Sequence, residues 1–168
     1  MTTYTVAKHE HAFKPKIFKP QYRPGRIDFE CVFDESCLYS PIDKEHDWNK
    51  LIGRAFDPVS PHMNSALVAW RCKDGETIEL SEYWHDGGQT IWAREPLLSV
   101  VPGEKVVGSI DHSWRSKRVA ISLKTTHSGI VMRQRVLKSL SCFTWILQPW
   151  FGGTWPAPHD MKLNLKYE

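Results

Sequence analysis

The sequence predicts an all-β protein, built as an antiparallel two-sheet sandwich of the jelly-roll type with one short helix. Short segments in which apolar and polar residues alternate recur along the chain, and clusters rich in Gly, Pro, Asp and Ser separate them. About eight to ten such segments at this spacing are typical of sandwiches and barrels. A hydrophobic content of 41% and a charged content of 24% match those of an ordinary globular domain.

The predicted strands follow the period-two pattern that places successive side chains on opposite faces of a sheet. In the first of them, Ile27, Phe29, Cys31 and Phe33 share one face. The clearest hairpin turns at residues 73–76, where the sequence is KDGE. The predicted strands cover residues 27–33, 66–72, 78–84, 90–94, 97–101, 105–111, 118–123, 130–136 and 161–165.

The stretch IDKEHDWNKLIG, residues 42–53, predicts the one helix. Its length allows about two turns over residues 43–52. Gly53 stands where a helix of this kind is expected to stop, because glycine readily adopts the backbone conformation that ends a helix.

Residues 1–25 are predicted to form an N-terminal arm, and residues 26–168 a single β-sandwich domain. The arm carries Pro15, Pro20 and Pro24 among several Lys and Arg residues. Proline at this density disfavours helix and favours extended backbone. An extended arm can reach a neighbour, so we expect it to support a homo-oligomer or to dock a partner.

Charge, terminal sequence and cysteine positions limit the compartments and partners that are expected for this protein. The net charge is +3, from 22 basic and 19 acidic residues without a long cationic run, so duplex nucleic acid is not an expected partner. The N-terminus lacks the apolar region of a signal peptide, and no apolar stretch is long enough to span a bilayer. We therefore expect no membrane association and a cytoplasmic location, in the host cytoplasm if a phage encodes the protein. In that reducing compartment Cys31 and Cys72, on the apolar faces of their strands, are expected to be buried free thiols.

Four segments of the chain form a recognisable set: FDESCLY at 33–39, NKLIG at 49–53, NSALVAWR at 64–71 and PWFGGTWPAPHDM at 149–161. Together they resemble an uncharacterised group of single-domain β-sandwich proteins from Bacteroidetes-type bacteria and bacteriophages. The resemblance extends from about residue 30 to the C-terminus. The resemblance implies a single β-sandwich domain, and it implies no particular activity.

Short catalytic and cofactor-binding motifs are missing from the sequence. It contains no G-x-S-x-G, H-E-x-x-H, G-x-G-x-x-G or P-loop string. His9 and His11 would share one face of a strand, but no third metal ligand accompanies them. We therefore expect no enzymatic activity, no cofactor and no metal site.

Two aromatic segments are the candidate ligand-binding residues. Trp114, Arg115 and Arg118 combine an indole, which can stack on a planar ring, with guanidinium groups that can grip phosphate or carboxylate. Trp155 and His159 lie in a loop whose glycines and prolines allow close approach of a ligand to a preformed backbone. A tight structural connection and a solvated turn are the alternative interpretations of these segments.

Eight Trp residues and the mixture of Arg, Lys and Trp predict a binding protein for a small anionic ligand that contains a ring. A nucleotide or nucleotide signal, sensed or sequestered, is the leading hypothesis. A glycan-binding β-sandwich module is the first alternative, because tryptophan platforms also bind sugar rings. A structural component of a phage particle is the second.

Overall fold

A computed structural model describes residues 1–17, 19–40 and 48–168, and it confirms the predicted all-β sandwich. Every pairing between its strands is antiparallel. The strands are β1 (Thr2–Val6), β2 (Pro20–Tyr22), β3 (Ile27–Phe33), β4 (Asn49–Ala55), β5 (Asn64–Cys72), β6 (Ile78–Asp86), β7 (Gln89–Trp92), β8 (Leu98–Val100), β9 (Lys105–Ser113), β10 (Arg118–Thr125), β11 (Val131–Val136), β12 (Phe143–Leu147) and β13 (Met161–Tyr167).

The strands form two sheets. The first sheet has six strands in the order β1-β13-β3-β9-β10-β11. The second has seven strands: six follow the order β2-β12-β4-β5-β6-β7, and β8 pairs separately with β6. Strands that are distant in sequence therefore become neighbours, and β12 lies between β2 and β4.

One hydrophobic core lies between the sheets, because the inward-facing residues of each strand alternate with outward-facing ones. Phe29, Cys31 and Phe33 of β3 point into the core from the first sheet, and Val68 and Trp70 of β5 point into it from the second. The rings of Phe33 and Trp70 meet with their centroids 5.2 Å apart. As predicted, Cys31 and Cys72 are buried free thiols, and burial raises the pKa of Cys31.

The segment expected to be an arm contributes a strand to each sheet. β1 pairs with β13 in the first sheet, and β2 pairs with β12 in the second. The side chains of Tyr4, Val6 and Phe13 are buried in the core. The structure therefore places much of residues 1–25 within the sandwich, where the sequence indicated a separate extension.

The predicted helix is wrong over its second half, because residues 49–55 form β4; residues 41–47 lie outside the described part of the chain. The register of β4 shifts between Lys50 and Ile52, so that Leu51 and Ile52 both reach the core. With Trp48, their spacing imitates one face of a helix. The helical structure in the described residues is one 3₁₀ turn, Glu35–Cys37, and no helix in that part of the chain is long and apolar enough to cross a bilayer.

Candidate functional site

The first group of predicted binding residues lies at the turn between β9 and β10. Trp114 packs edge-on against His112, with ring centroids 4.4 Å apart, and against Phe56 at 6.3 Å. Arg115 and Arg118 are exposed beside it. The indole of Trp114 therefore packs against one end of the core and is partly buried.

The second predicted group lies at the other end of the six-stranded sheet. The Nε2 atom of His159 is 2.8 Å from the carbonyl oxygen of Ser36, just beyond the end of β3. Ile27, at the start of β3, pairs with Ile110, near the turn that holds Trp114. The two groups are thus separated by about the length of a seven-residue strand, roughly 20 Å. Trp155 is 41% exposed in the same loop as His159, so the structure does not bring the five predicted residues into one site.

A cleft of about 730 Å³ opens instead on the outer face of the seven-stranded sheet. This volume falls in the range typical of ligand sites. We call it the sheet cleft. Its polar lining residues are Lys16, Lys50, His62, Ser65, His85 and Gln148, and its aromatic lining residues are Phe13, Trp145 and Trp150.

The floor of the sheet cleft comes from side chains that point away from the core. Val68 and Trp70 of β5 face the core, so Ser65 and Leu67 of the same strand face outward. Ser65 pairs in register with His85 of β6. Both strands are buried on both faces over much of their length, because the cleft walls cover the outer one.

The main wall of the sheet cleft forms where the N-terminal segment meets the segment after β12. The backbone of Trp150 pairs with that of Lys50 through hydrogen bonds of 2.8 and 2.9 Å. The amide of Ile17 donates to the side-chain oxygen of Gln148 at 2.6 Å. The wall is therefore held by both backbone and side-chain hydrogen bonds.

The charge of the sheet cleft is positive. Lys16 and Lys50 line it, and none of the described residues that line it is Asp or Glu. The ammonium group of Lys50 lies 4.7 Å from the centroid of the Tyr83 ring, and it donates a hydrogen bond of 2.6 Å to the carbonyl oxygen of Trp48. Such a lining favours a ligand that carries negative charge.

His85 brings a neutral imidazole to the cleft floor. Burial lowers its pKa from 6.5 to about 4, with smaller contributions in the same direction from the nearby charges of His62 and Lys50. Its Nδ1 atom lies 3.2 Å from the hydroxyl of Thr90. The rings of His62 and Tyr83 contact it edge-on, with centroids at 5.0 and 5.4 Å. At neutral pH this imidazole can accept or donate a hydrogen bond without carrying charge.

Exposed aromatic surface lies at the rim. Trp150 is 44% exposed, and its ring stacks on His11 with centroids 5.7 Å apart and planes 13° from parallel. His11 is fixed in turn, since its Nδ1 atom lies 2.9 Å from the carbonyl oxygen of Phe151. A supported indole with an open face is suited to stacking on a flat ligand surface.

Sequence reasoning missed most of this site. The loop after β12 was singled out, but Trp155 and His159 were chosen from it, whereas Trp150 reaches the cleft. One signal was available: in β5, Leu67 and Ala69 alternate with Ala66, Val68 and Trp70, so this strand is apolar on both faces. A strand that is apolar on both faces must be covered on both.

The fold is shared with solved structures of low sequence identity. The alginate lyase from Klebsiella pneumoniae superposes with a TM-score of 0.62 at 9% identity over 86% of this chain and 59% of that one. The marine PL-14 alginate lyase from Aplysia kurodai gives a TM-score of 0.62 at 10% identity, over 98% of this chain and 80% of that one. A functionally unknown protein from Saccharomyces cerevisiae gives 0.58 at 9% identity, over 90% and 72%. This chain therefore spans less than two thirds of the Klebsiella protein.

No protein-family model matches the chain, and no curated protein sequence matches it. At these identities the structural similarities show the fold alone. They correct the expectation that the protein has no enzymatic activity, because two of these structures are lyases with the same architecture. Sandwich enzymes can draw reactive groups from distant strands, so missing short motifs do not exclude catalysis. A nucleotide ligand receives no support from the similarities.

Proposed function

We propose that the sheet cleft binds a segment of an acidic polysaccharide. The observation that carries the proposal is the composition of the cleft, in which Lys16 and Lys50, a neutral His85 and the open face of Trp150 occur together, with no carboxylate among the described lining residues. Cations can pair with the carboxylates of the sugar chain, and indoles can pack against its rings. The fold of the two alginate lyases supports a ligand of this class, since alginate is a polymer of uronic acids.

The shape of the cleft favours a polymer segment over a nucleotide. It opens along the outer face of the sheet, and its lining comes from the N-terminal segment, β4, the turn between β4 and β5, β5, β6, β12 and the segment after β12. The arginines expected to grip a phosphate, Arg115 and Arg118, lie at a turn of the other sheet. A glycan, the first alternative considered from the sequence, therefore replaces the nucleotide as the leading ligand.

Binding can be tested by calorimetry with alginate oligosaccharides, neutral cello-oligosaccharides and nucleotides. We expect heat and thermal stabilisation with alginate alone. Replacing Lys16 with Gln should weaken alginate binding by about tenfold and flatten its salt dependence, since a charge-assisted contact contributes about 1.5–3 kcal/mol.

Lys124→Gln is the matched control, because it removes the same charge from an exposed position of β10 in the other sheet. It should bind alginate like the parent protein. Equal losses of alginate affinity in both variants would show that the effect comes from net charge and not from a contact of Lys16. The absence of any alginate binding would refute the proposal.

A second candidate function is eliminative cleavage of the bound chain. Neutral His85 lies beside Tyr83, and the ammonium of Lys50 lies over the Tyr83 ring. In this reaction a base removes the C5 proton of a uronate, the C4–O4 bond breaks, a C4=C5 double bond forms, and an acid returns a proton to O4. The three side chains supply a base, an acid and a cation for the carboxylate.

Cleavage produces a conjugated double bond that absorbs ultraviolet light, so it can be followed directly with alginate. We expect His85→Asn and Tyr83→Phe to abolish the absorbance increase while calorimetry shows retained binding. If the parent protein binds alginate but gives neither absorbance nor shorter products, the second candidate is wrong and the first stands.

A further inference from the structure

A second cavity, of about 700 Å³, lies on the same outer face of the seven-stranded sheet. Trp48, Arg71, Thr90, Trp92 and Arg94 line it. It flanks the edge strand β7, whereas the sheet cleft lies over β4, β5, β6 and β12. We call it the β7 cavity.

Two routes of side-chain contacts connect the β7 cavity to the sheet cleft. Thr90, which lines the β7 cavity, places its hydroxyl 3.2 Å from Nδ1 of His85, which lines the sheet cleft. Trp92 stacks on Tyr83 with centroids 6.4 Å apart and planes 17° from parallel. Tyr83 in turn lies beneath the ammonium group of Lys50, another lining residue of the sheet cleft. Side chains thus run without a break from one cavity to the other.

The chemistry of the β7 cavity repeats that of the sheet cleft. Trp92 is 37% exposed and offers an aromatic face. Arg94 is exposed, and no ion pair joins it to a carboxylate within the described residues. Arg71 is already engaged, because its guanidinium lies 2.8 Å from Glu79 and 4.4 Å from the centroid of the Trp48 ring. Arg94 is therefore the cation best placed to meet an anionic ligand.

The two cavities together span much of the sheet. Trp92 on β7 and Leu147 on β12 are separated by four strand steps through Tyr83, Leu67 and Gly53. At about 4.8 Å for each step, this distance is roughly 19 Å. A single sugar ring is far too short to reach both ends, whereas an oligosaccharide can.

We infer that the β7 cavity is a second binding subsite for the same acidic polysaccharide, in which Trp92 stacks on a sugar ring and Arg94 pairs with a carboxylate. The inference rests on the proposed function, and it specifies an extended chain as the ligand. Its consequence is that affinity grows with chain length until both cavities are filled, because the second contact forms within an existing complex.

The test is calorimetry with alginate disaccharide and octasaccharide on the parent protein and on Arg94→Gln. We expect the octasaccharide to bind the parent more tightly than the disaccharide. Arg94→Gln should weaken octasaccharide binding by about tenfold and leave the disaccharide unchanged, since one charge-assisted contact is lost. Trp92→Ala should act in the same direction, and thermal unfolding should verify that both variants are folded.

Arg115→Gln is the matched control, an exposed arginine at the turn between β9 and β10 that should leave both affinities unchanged. The inference is overturned if Arg94→Gln and Trp92→Ala bind the octasaccharide like the parent, or if the two ligands bind the parent equally. In those cases the sheet cleft still binds alginate and the proposed function survives. If neither oligosaccharide binds, both the inference and the proposed function are wrong.

Discussion

His85 and His112 show how burial changes the pKa of single residues. The pKa of each is lowered to about 4, mainly by burial; the charges of His62 and Lys50 contribute to the lowering for His85, and that of Arg54 for His112. An unfolded histidine titrates near pH 6.5. The folded protein thus binds these protons less readily than the unfolded chain between about pH 6.5 and pH 4.

The expected consequence is a loss of stability in mild acid. The contribution of the two neutral histidines is fully present above about pH 6.5 and is lost as the pH falls toward 4. Thermal unfolding should show that the Tm of the parent falls as the pH is lowered across this range. The Tm of His85→Gln should fall less steeply. The exposed His127→Gln serves as the control and should follow the parent. Parallel curves for the parent and His85→Gln would contradict the burial of a neutral His85.

Gly53 shows how one position can be misread from sequence. It was expected to end a helix, but it lies within β4 and pairs with Leu67 on the cleft floor. A Cβ atom there would lie 2.7 Å from the carbonyl oxygen of Ala66 and 2.7 Å from Cγ of Leu67. Only glycine allows the two strands and the Leu67 side chain to approach this closely.

Gly53→Ala should therefore destabilise the protein by about 1–3 kcal/mol, the usual cost of overpacking a tight contact. Chemical denaturation measures the change. Gly129→Ala is the control, because a Cβ at Gly129 would meet nothing within 4 Å. If the two variants are equally stable, the close approach at Gly53 is not present in solution.

At the scale of elements, β1 decides whether the N-terminal segment is a separate arm or a strand of the sandwich. Tyr4 is 1% exposed and pairs in register with Leu163 of β13. Tyr4→Ala should cost about 3–5 kcal/mol, as expected for truncating a large buried aromatic side chain. Thr5→Ala, which changes an exposed side chain of the same strand, should stay within about 0.5 kcal/mol of the parent. If Tyr4→Ala is as stable as Thr5→Ala in urea, β1 is a detachable arm.

The sequence predicted those elements whose pattern is purely local. β3 and β13 alternate cleanly between buried and exposed side chains, so their faces could be assigned in advance. β4 was mistaken for helix because its register shift turns two successive residues inward, which breaks the alternation expected of a strand. The position of such a bulge cannot be recognised from the alternation pattern alone. β2 was not predicted as a separate strand, because the prolines of residues 1–25 indicated an extended arm; in the structure Pro20 opens an edge strand, where a missing amide hydrogen is tolerated.

At the scale of the whole molecule, the site depends on contacts that no short segment contains. The sheet cleft joins Lys16, Lys50, His85 and Trp150, which are spread over most of the chain. Strand alternation shows that β5 has two faces, but it does not show that the segments around Lys16 and Trp150 cover the outer one. Local clustering of Trp and Arg therefore directed attention to Trp114, which the fold uses for packing.

The most direct test of the central claim follows the tryptophan indole N–H signals by NMR while alginate octasaccharide is added. We expect the signals of Trp145 and Trp150, which line the sheet cleft, to shift in a saturable manner, and those of Trp114 and Trp155 to stay unchanged. Assignment by single Trp→Phe substitutions identifies each signal. Saturable shifts at Trp114 or Trp155 with none at Trp145 and Trp150, or no shift at any tryptophan, would contradict an acidic polysaccharide in the sheet cleft.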